Sequence, residues 1–250
     1  MIEGLEGKVA FVSGASRGIG AACAKRFSAA GMRLVLCSRS APVLPENEGV
    51  ISRQVDVRSE TEVQALTSEA ESRFGAIDLW VNNAGVLEPI RPVRDVSVEE
   101  FRNHIDTNLT GVFIGSRCYV NHLRRLSRGG VLINLSSGAA WSAYSGWGAY
   151  CAGKAAVERL TEVIQIEEEG IGLRAHSVAP GVVDTAMQKL IRSSSAENFP
   201  DLERFVQMKR DENFNEADFV AREFLSIAFD PARRPEGVAY RVEYGDGGAA

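Results

Sequence analysis

The chain has 250 residues, a formal net charge of −5, 45% hydrophobic and 24% charged residues. That balance excludes a disordered or fibrous chain, and its sign argues against one built to grip nucleic acid or an anionic membrane. No apolar run approaches the ~20 residues that cross a bilayer, and the N-terminal MIEGLEGKVAFVSG lacks the basic and apolar regions of a secretory signal. Cys23, Cys37, Cys118 and Cys151 show no C-x-x-C spacing, so reduced thiols, no metal and a cytoplasmic location are expected.

Along the chain, short β-branched runs alternate with helical stretches. KVAFVSG (8–14) predicts a buried strand and 19–30 a helix. MRLVLCSR (32–39) and GVISRQVDV (49–57) are the second and third strands. SETEVQALTSEAESRFG opens with a serine and a glutamate in capping-box spacing and ends on a glycine, which predicts a helix between them. IDLWVNNAG is the fourth strand, 97–128 is helical, and GVLINLSS (130–137) is the fifth strand. Residues 148–169 form another helix, GLRAHSVAPG a sixth strand, 215–229 a helix and GVAYRVEYG a seventh strand. This alternation predicts right-handed βαβ crossovers: one α/β, doubly wound domain over 1–250 with a parallel sheet flanked by helices. Residues 184–214, rich in Ser, Asn, Met and Phe, are the least regular stretch and the place where a substrate lid is expected.

The first strand runs straight into SGASRGIG, where Gly14, Gly18 and Gly20 open a helix. Glycines let backbone approach a pyrophosphate, and a helix N-terminus offers free N–H groups and a positive dipole end. NAD sites place an acidic residue at the end of the second strand. This chain has Ser38 and Arg39 there, with Arg17 inside the glycine turn. Two guanidiniums suit a 2′-phosphate, which an acid would repel, so NADP(H) is the expected cofactor. Asp56 and Val57 end the third strand beside the expected adenine, and the small residues of NNAG (82–85) let backbone lie against a flat ring.

AYCAGKAAVERL (149–160) sets Tyr150 and Lys154 four residues apart on a helix, although the chain has only five lysines. At that spacing the two side chains are neighbours, and a cation beside a phenol favours the phenolate and lowers its pKa, making it a proton donor near neutral pH. Lys154 has three donors that suit the hydroxyls of a nicotinamide ribose. Ser137 ends the fifth strand and is placed to orient a substrate carbonyl. Ser136 competes for that task, because only one of two successive strand residues faces a cleft. Asn108 interrupts a helix, where an asparagine can free a backbone carbonyl for a water. Trp141, Tyr144 and Trp147 lie between Ser137 and Tyr150, aromatic walls for a flat dicarbonyl; Leu87, Glu88, Met187 and Phe199 are further pocket candidates from flanking loops.

These elements, in this order and spacing, resemble a short-chain dehydrogenase/reductase over nearly the whole chain. The glycine turn 14–20, NNAG, Asn108, Ser137, Tyr150, Lys154 and PGVVDT (180–185) carry the resemblance. It implies a Rossmann-like domain with a seven-stranded parallel sheet. It implies Tyr150 as acid/base, Ser137 as carbonyl orienter, Lys154 as cofactor holder and pKa modulator, and Asn108 as keeper of a proton-relay water. Cofactor contacts are implied for Ser16 and Ile19 in the glycine turn, for Asp56, Val57, Asn83, Ala84 and Gly85 around adenosine and ribose, and for Pro180, Gly181, Val183, Thr185 and Met187. The family commonly assembles through the helices near 97–128 and 148–169, so a homodimer or homotetramer is expected.

Within the family, AGVLEPI, SSGAA, YSGWGAYCAGKAA and APGVVDTAMQKLIR look most like the sepiapterin reductase and benzil reductase branch. In sepiapterin reductases a C-terminal aspartate anchors the pterin. The aligned position here carries Arg241, with Glu243 and Asp246 close by, which turns the expectation toward a vicinal, benzil-like diketone. The alternatives are a pterin, 3-oxoacyl or steroid ketone, or, from another class, an inactive NADP-sensing regulatory protein. A pure binder has no need of Ser137, Tyr150 and Lys154 together.

Overall fold

The computed structural model describes residue 2 and residues 4–243. Seven strands, β1 (Val9–Ser13), β2 (Arg33–Ser38), β3 (Val50–Gln54), β4 (Leu79–Asn82), β5 (Gly130–Leu135), β6 (Leu173–Ala179) and β7 (Ala239–Arg241), form one parallel sheet in the order β3-β2-β1-β4-β5-β6-β7. Strand side chains alternate faces. Ala10 and Val12 of β1 therefore pack on the side of α1 (Gly18–Ala29) and α8 (Ala217–Phe229). Val9 and Phe11 pack with α2 (Glu60–Phe74), α4 (Gly111–Leu126) and α5 (Gly148–Glu168) on the other. Because both faces are covered, the strands β1, β2 and β4 read as near-continuous apolar runs rather than alternating. The strand order runs outward in opposite directions from β1 and β4, which opens a crevice at their carboxyl ends.

Local signals set several boundaries. The Ser59 side chain accepts from Glu62 N–H at the start of α2, and Gly75, at φ 79°, ends it. Ser97 and Glu100 form a complete capping box on α3 (Val98–Ile105). The single helix expected over 97–128 is instead α3 and α4 joined by a π turn over Asp106–Thr110, with Asn108 inside it. The irregular stretch 184–214 holds two helices, α6 (Ala186–Arg192) and α7 (Leu202–Arg210). Their apolar residues Ile191 and Phe205 join a third buried cluster with Leu87, Trp147, Tyr150 and Phe199. The seventh strand is shorter than expected, and Asp246 lies outside the described residues.

One polar network sits in the middle of this apolar frame. Trp80 Nε1 donates to Asn82 Oδ1 at 2.8 Å, and Asn82 Nδ2 donates to Asn134 Oδ1 (2.8 Å) and Ser116 Oγ (3.1 Å). Asn134 Nδ2 donates to Thr161 Oγ1 (2.9 Å), whose own proton goes to the Val157 carbonyl (2.6 Å). It ties β4 and β5 to α4 and α5. Asn134→Ala removes an acceptor from the Asn82 amide and the donor to Thr161 Oγ1 at the buried centre of the network. It is expected to lower unfolding free energy by about 2–4 kcal/mol, read by denaturant titration. A loss below ~1 kcal/mol would show the network to be dispensable.

Candidate active site

The crevice at the carboxyl ends of the strands is a continuous cleft of about 820 Å³. At one end it is lined by Gly14, Ser16, Arg17, Gly18 and Ile19 of the turn after β1. Ser38, Arg39, Asp56, Val57 and Asn83–Gly85 also reach it, as do Pro180, Gly181, Val183, Thr185 and Met187. Gly14 has φ +68°, open to glycine at little cost. Gly20 lies beneath the turn, where a Cβ would collide with the Gly14 carbonyl and Asn83 Nδ2. The NNAG segment is sewn to β1: Asn83 and Ala84 N–H both donate to Ser13 Oγ (3.0 and 3.1 Å), and Asn83 Nδ2 donates to the Ser13 carbonyl (2.9 Å).

The residues present fit a nucleotide. α2 and α3 are capped by serines and carry glutamates in their first turns. α1 has neither a side-chain cap nor an acidic residue there, so its N-terminal N–H groups are left to face an anion. Arg17 and Arg39 are exposed and make no ion pair among the described residues. Asp56 is less free than the sequence suggests, because Arg58 holds its carboxylate (2.6 Å) and pulls its pKa down.

At the other end Tyr150, Lys154 and Ser137 meet. α5 begins at Gly148, so Tyr150 and Lys154 occupy its first two turns and both are buried, 7% and 5% exposed. The Ser137 side chain acts on the Tyr150 phenol, pulling its pKa down, and its Oγ accepts from Ala139 N–H (3.2 Å). Ser136 also reaches the cleft wall, but its hydroxyl is committed to Glu158 Oε1 (2.7 Å). Lys154 Nζ donates to the Leu135 carbonyl (2.6 Å) and stands 5.7 Å from the Tyr150 ring centre. The expected lowering of the Tyr150 pKa is not what this environment produces. Burial raises it, and the Ser137 hydroxyl only partly offsets the rise. Burial also pulls Lys154 down to about 8.

Asn108 does not line the cleft; it is wholly buried behind it, paired to Val86 through both main-chain groups (2.8 and 2.7 Å). Trp141 is not brought to the cleft either. The short turn Gly138–Ala140 carries it outward, where it is 49% exposed. Tyr144 and Trp147 do line it, with Leu87 and Glu88. Phe199 lies behind, stacked on Trp147 (4.7 Å, 7°). Sequence reasoning missed Gln188, Arg204 and Phe205, since their proximity depends on how α6 and α7 fold over the cleft; Arg204, like Arg241, lines it without an ion pair among the described residues. Arg241, which stands where a pterin-anchoring aspartate would align, lines this cleft, and Glu243 does not.

A glycine turn under an uncapped helix, opening beside a Ser–Tyr–Lys cluster at a sheet crossover, defines a nucleotide-dependent oxidoreductase of the Rossmann class. The family model for short chain dehydrogenase matches residues 8–196, and the chain belongs to that family. It is 38% identical over 219 residues (84% of this chain, 81% of the relative) to 3beta-hydroxysteroid dehydrogenase 1 of Eggerthella lenta. It is 32% identical over 223 residues (86% and 91%) to benzil reductase ((S)-benzoin forming) of Bacillus subtilis. The crystal structure of the KRED1-Pglu enzyme superposes with a TM-score of 0.84 at 34% identity, covering 93% of this chain and 99% of that one. The protein is therefore an oxidoreductase acting on CH–OH/C=O groups with a nicotinamide cofactor, and it resembles the benzil reductase branch.

The buried ammonium has a consequence for stability. Its folded pKa lies below its ordinary value of 10.5, so folding is penalised progressively as pH falls from 10.5 through 8 and fully below that. Lys154→Met is expected to stabilise the fold at pH 7 by on the order of 2 kcal/mol while abolishing turnover, with the gain fading above pH ~10. Thermal melts across pH check this, and a variant less stable at neutral pH would contradict it.

Proposed function

We propose that the protein is an NADPH-dependent carbonyl reductase whose preferred substrate is a vicinal, benzil-like diketone. The observation that carries this reading is the convergence of Ser137, Tyr150 and, one helical turn on, Lys154 on one cleft. NADPH, when bound, supplies the hydride that the carbonyl carbon accepts. Ser137 Oγ donates to the carbonyl oxygen and fixes its direction. Tyr150, whose burial keeps its proton on, passes that proton from Oη to the same oxygen as negative charge develops there. Lys154 stands beside the phenolate so formed, and Asn108 keeps the route by which its proton is replaced. Tyr144 and Trp147 give a flat substrate an aromatic wall, and Arg204 and Arg241 are donors for a second oxygen.

The 2′-phosphate selectivity rests on Arg17 and Arg39 flanking a strand end with no acid. α6 and α7 serve as the lid over 184–214 of one domain spanning 1–250. Asp184 ties them together through Arg192 (2.9 Å) and Lys209 (2.8 Å). A homodimer or homotetramer is supported by Phe113 and Ile166, apolar and 46% and 78% exposed on α4 and α5, and a cytoplasmic location is part of the same proposal. Among the described residues no helix is long and apolar enough to cross a membrane. The steroid dehydrogenase relative favours a steroid ketone as the second reading.

NADPH consumption with benzil, sepiapterin and a 3-oxosteroid in parallel tests the substrate class. Benzil is expected to turn over fastest; a clear preference for the steroid would replace the diketone reading. Tyr150→Phe is expected to lower turnover by at least ~10³-fold while nucleotide still binds; retained turnover would overturn the assigned proton donor. Arg39→Asp is expected to weaken NADPH relative to NADH by about 1–3 kcal/mol in kcat/KM. An unchanged preference would refute the two-arginine argument.

A further inference from the structure

His104, on the last turn of α3, is 1% exposed and touches three parts of the site at once. Its Nδ1 lies 2.7 Å from the carbonyl oxygen of Glu88, on the loop that lines the cleft. Its Nε2 lies 2.7 Å from Nδ2 of Asn108, and its ring meets that of Tyr150 edge-on at 6.0 Å. The protonation of the imidazole follows from its partners. A carbonyl cannot donate, so Nδ1 carries the hydrogen. Asn108 is oriented independently of the histidine, because its Oδ1 accepts from Val86 N–H and its Nδ2 donates to the Val86 carbonyl. The second hydrogen on Nδ2 then points at Nε2, which must be bare to receive it.

With His104 neutral, every hydrogen-bonding atom of the Asn108 side chain is engaged, and the π turn and the loop over Val86–Glu88 are locked together. A second proton on the imidazole would set two donors against each other 2.7 Å apart. We propose that His104 is a positioning residue that holds Asn108, Glu88 and the Tyr150 ring in one arrangement, and does so only as the neutral Nδ1–H tautomer. The groups facing it are few: Tyr150 and Lys154 from α5, Asn108 from the π turn, and the main chain of Glu88. Burial, reinforced by the Lys154 charge, favours the neutral form over the Glu88 carbonyl's opposite pull. The clamp is therefore stable at neutral pH and lost in acid, with a midpoint below the ordinary histidine value of about 6.5.

The kinetic arm of the test rests on the reductase reading, and the spectroscopic arm does not. ¹⁵N NMR of the full chain is expected to show the Nδ1–H tautomer of His104, titrating below the ordinary value together with the Asn108 side-chain amide. With a turned-over ketone, kcat is expected to fall in acid with the same midpoint. His104→Phe keeps a ring without either nitrogen and is expected to lower kcat by up to about a hundredfold, the scale of a misplaced catalytic group, with KM for the nucleotide little changed. His104→Gln supplies an acceptor and a donor that no proton alters in this range, and is expected to restore much of kcat and remove that acid limb. An Nε2–H tautomer, an ordinary titration, or an acid limb that persists in both variants would overturn the proposal. If no ketone is reduced, the reductase reading falls and the imidazole spectrum still decides this one.

Discussion

The site depends on the hydrogen bond between the side chains of Asn82 and Asn134 on neighbouring strands. These amides sit one strand apart at the buried centre of the sheet, where an unpaired polar group is costly. Satisfying them requires Ser116 from α4 and Thr161 from α5 at fixed positions. Tyr150 and Lys154 lie on the same helix as Thr161, up to three turns earlier, so the network also fixes the angle at which they enter the cleft. A wholly apolar contact between sheet and helix would permit sliding; directional bonds do not.

From that anchor the two ends of the cleft are built by opposite devices. The nucleotide end uses backbone: a glycine turn and an uncapped helix leave main-chain donors facing the cleft, beside a segment pinned to Ser13. The reacting end uses buried side chains whose charge states burial has moved. A phenol that holds its proton more tightly and an ammonium that holds its own less tightly are further apart in acidity than in water, in the sense that favours return of a proton to the Tyr150 phenolate. Desolvation does this directly, although the sequence argument looked to Lys154 alone for the shift.

Much of this was legible in the sequence because it depends on local pattern. Gly14, Gly18 and Gly20 after a β-branched run, Tyr150 and Lys154 at helical spacing, and the serine cap of α2 each carry their physical reason within a few residues. Less legible were features settled by contacts across the chain. Trp141 lies in the same short loop as Tyr144 and Trp147, yet a turn of three residues sends it to the surface. Arg58 reaches back to Asp56, and Arg204 comes to the cleft only because α6 and α7 fold across it.

The sequence by itself determined the α/β alternation, the nucleotide turn and the pairing of phenol with ammonium, because periodicity, glycine freedom and helical spacing act within one element at a time. Only the tertiary structure decided that the Ser136 hydroxyl is committed to Glu158, that burial raises rather than lowers the Tyr150 pKa, and that His104 stands behind Asn108. Each of these depends on what surrounds a side chain in space. Solvent exclusion and hydrogen-bond partners come from elements far apart in the chain, and no local pattern encodes them.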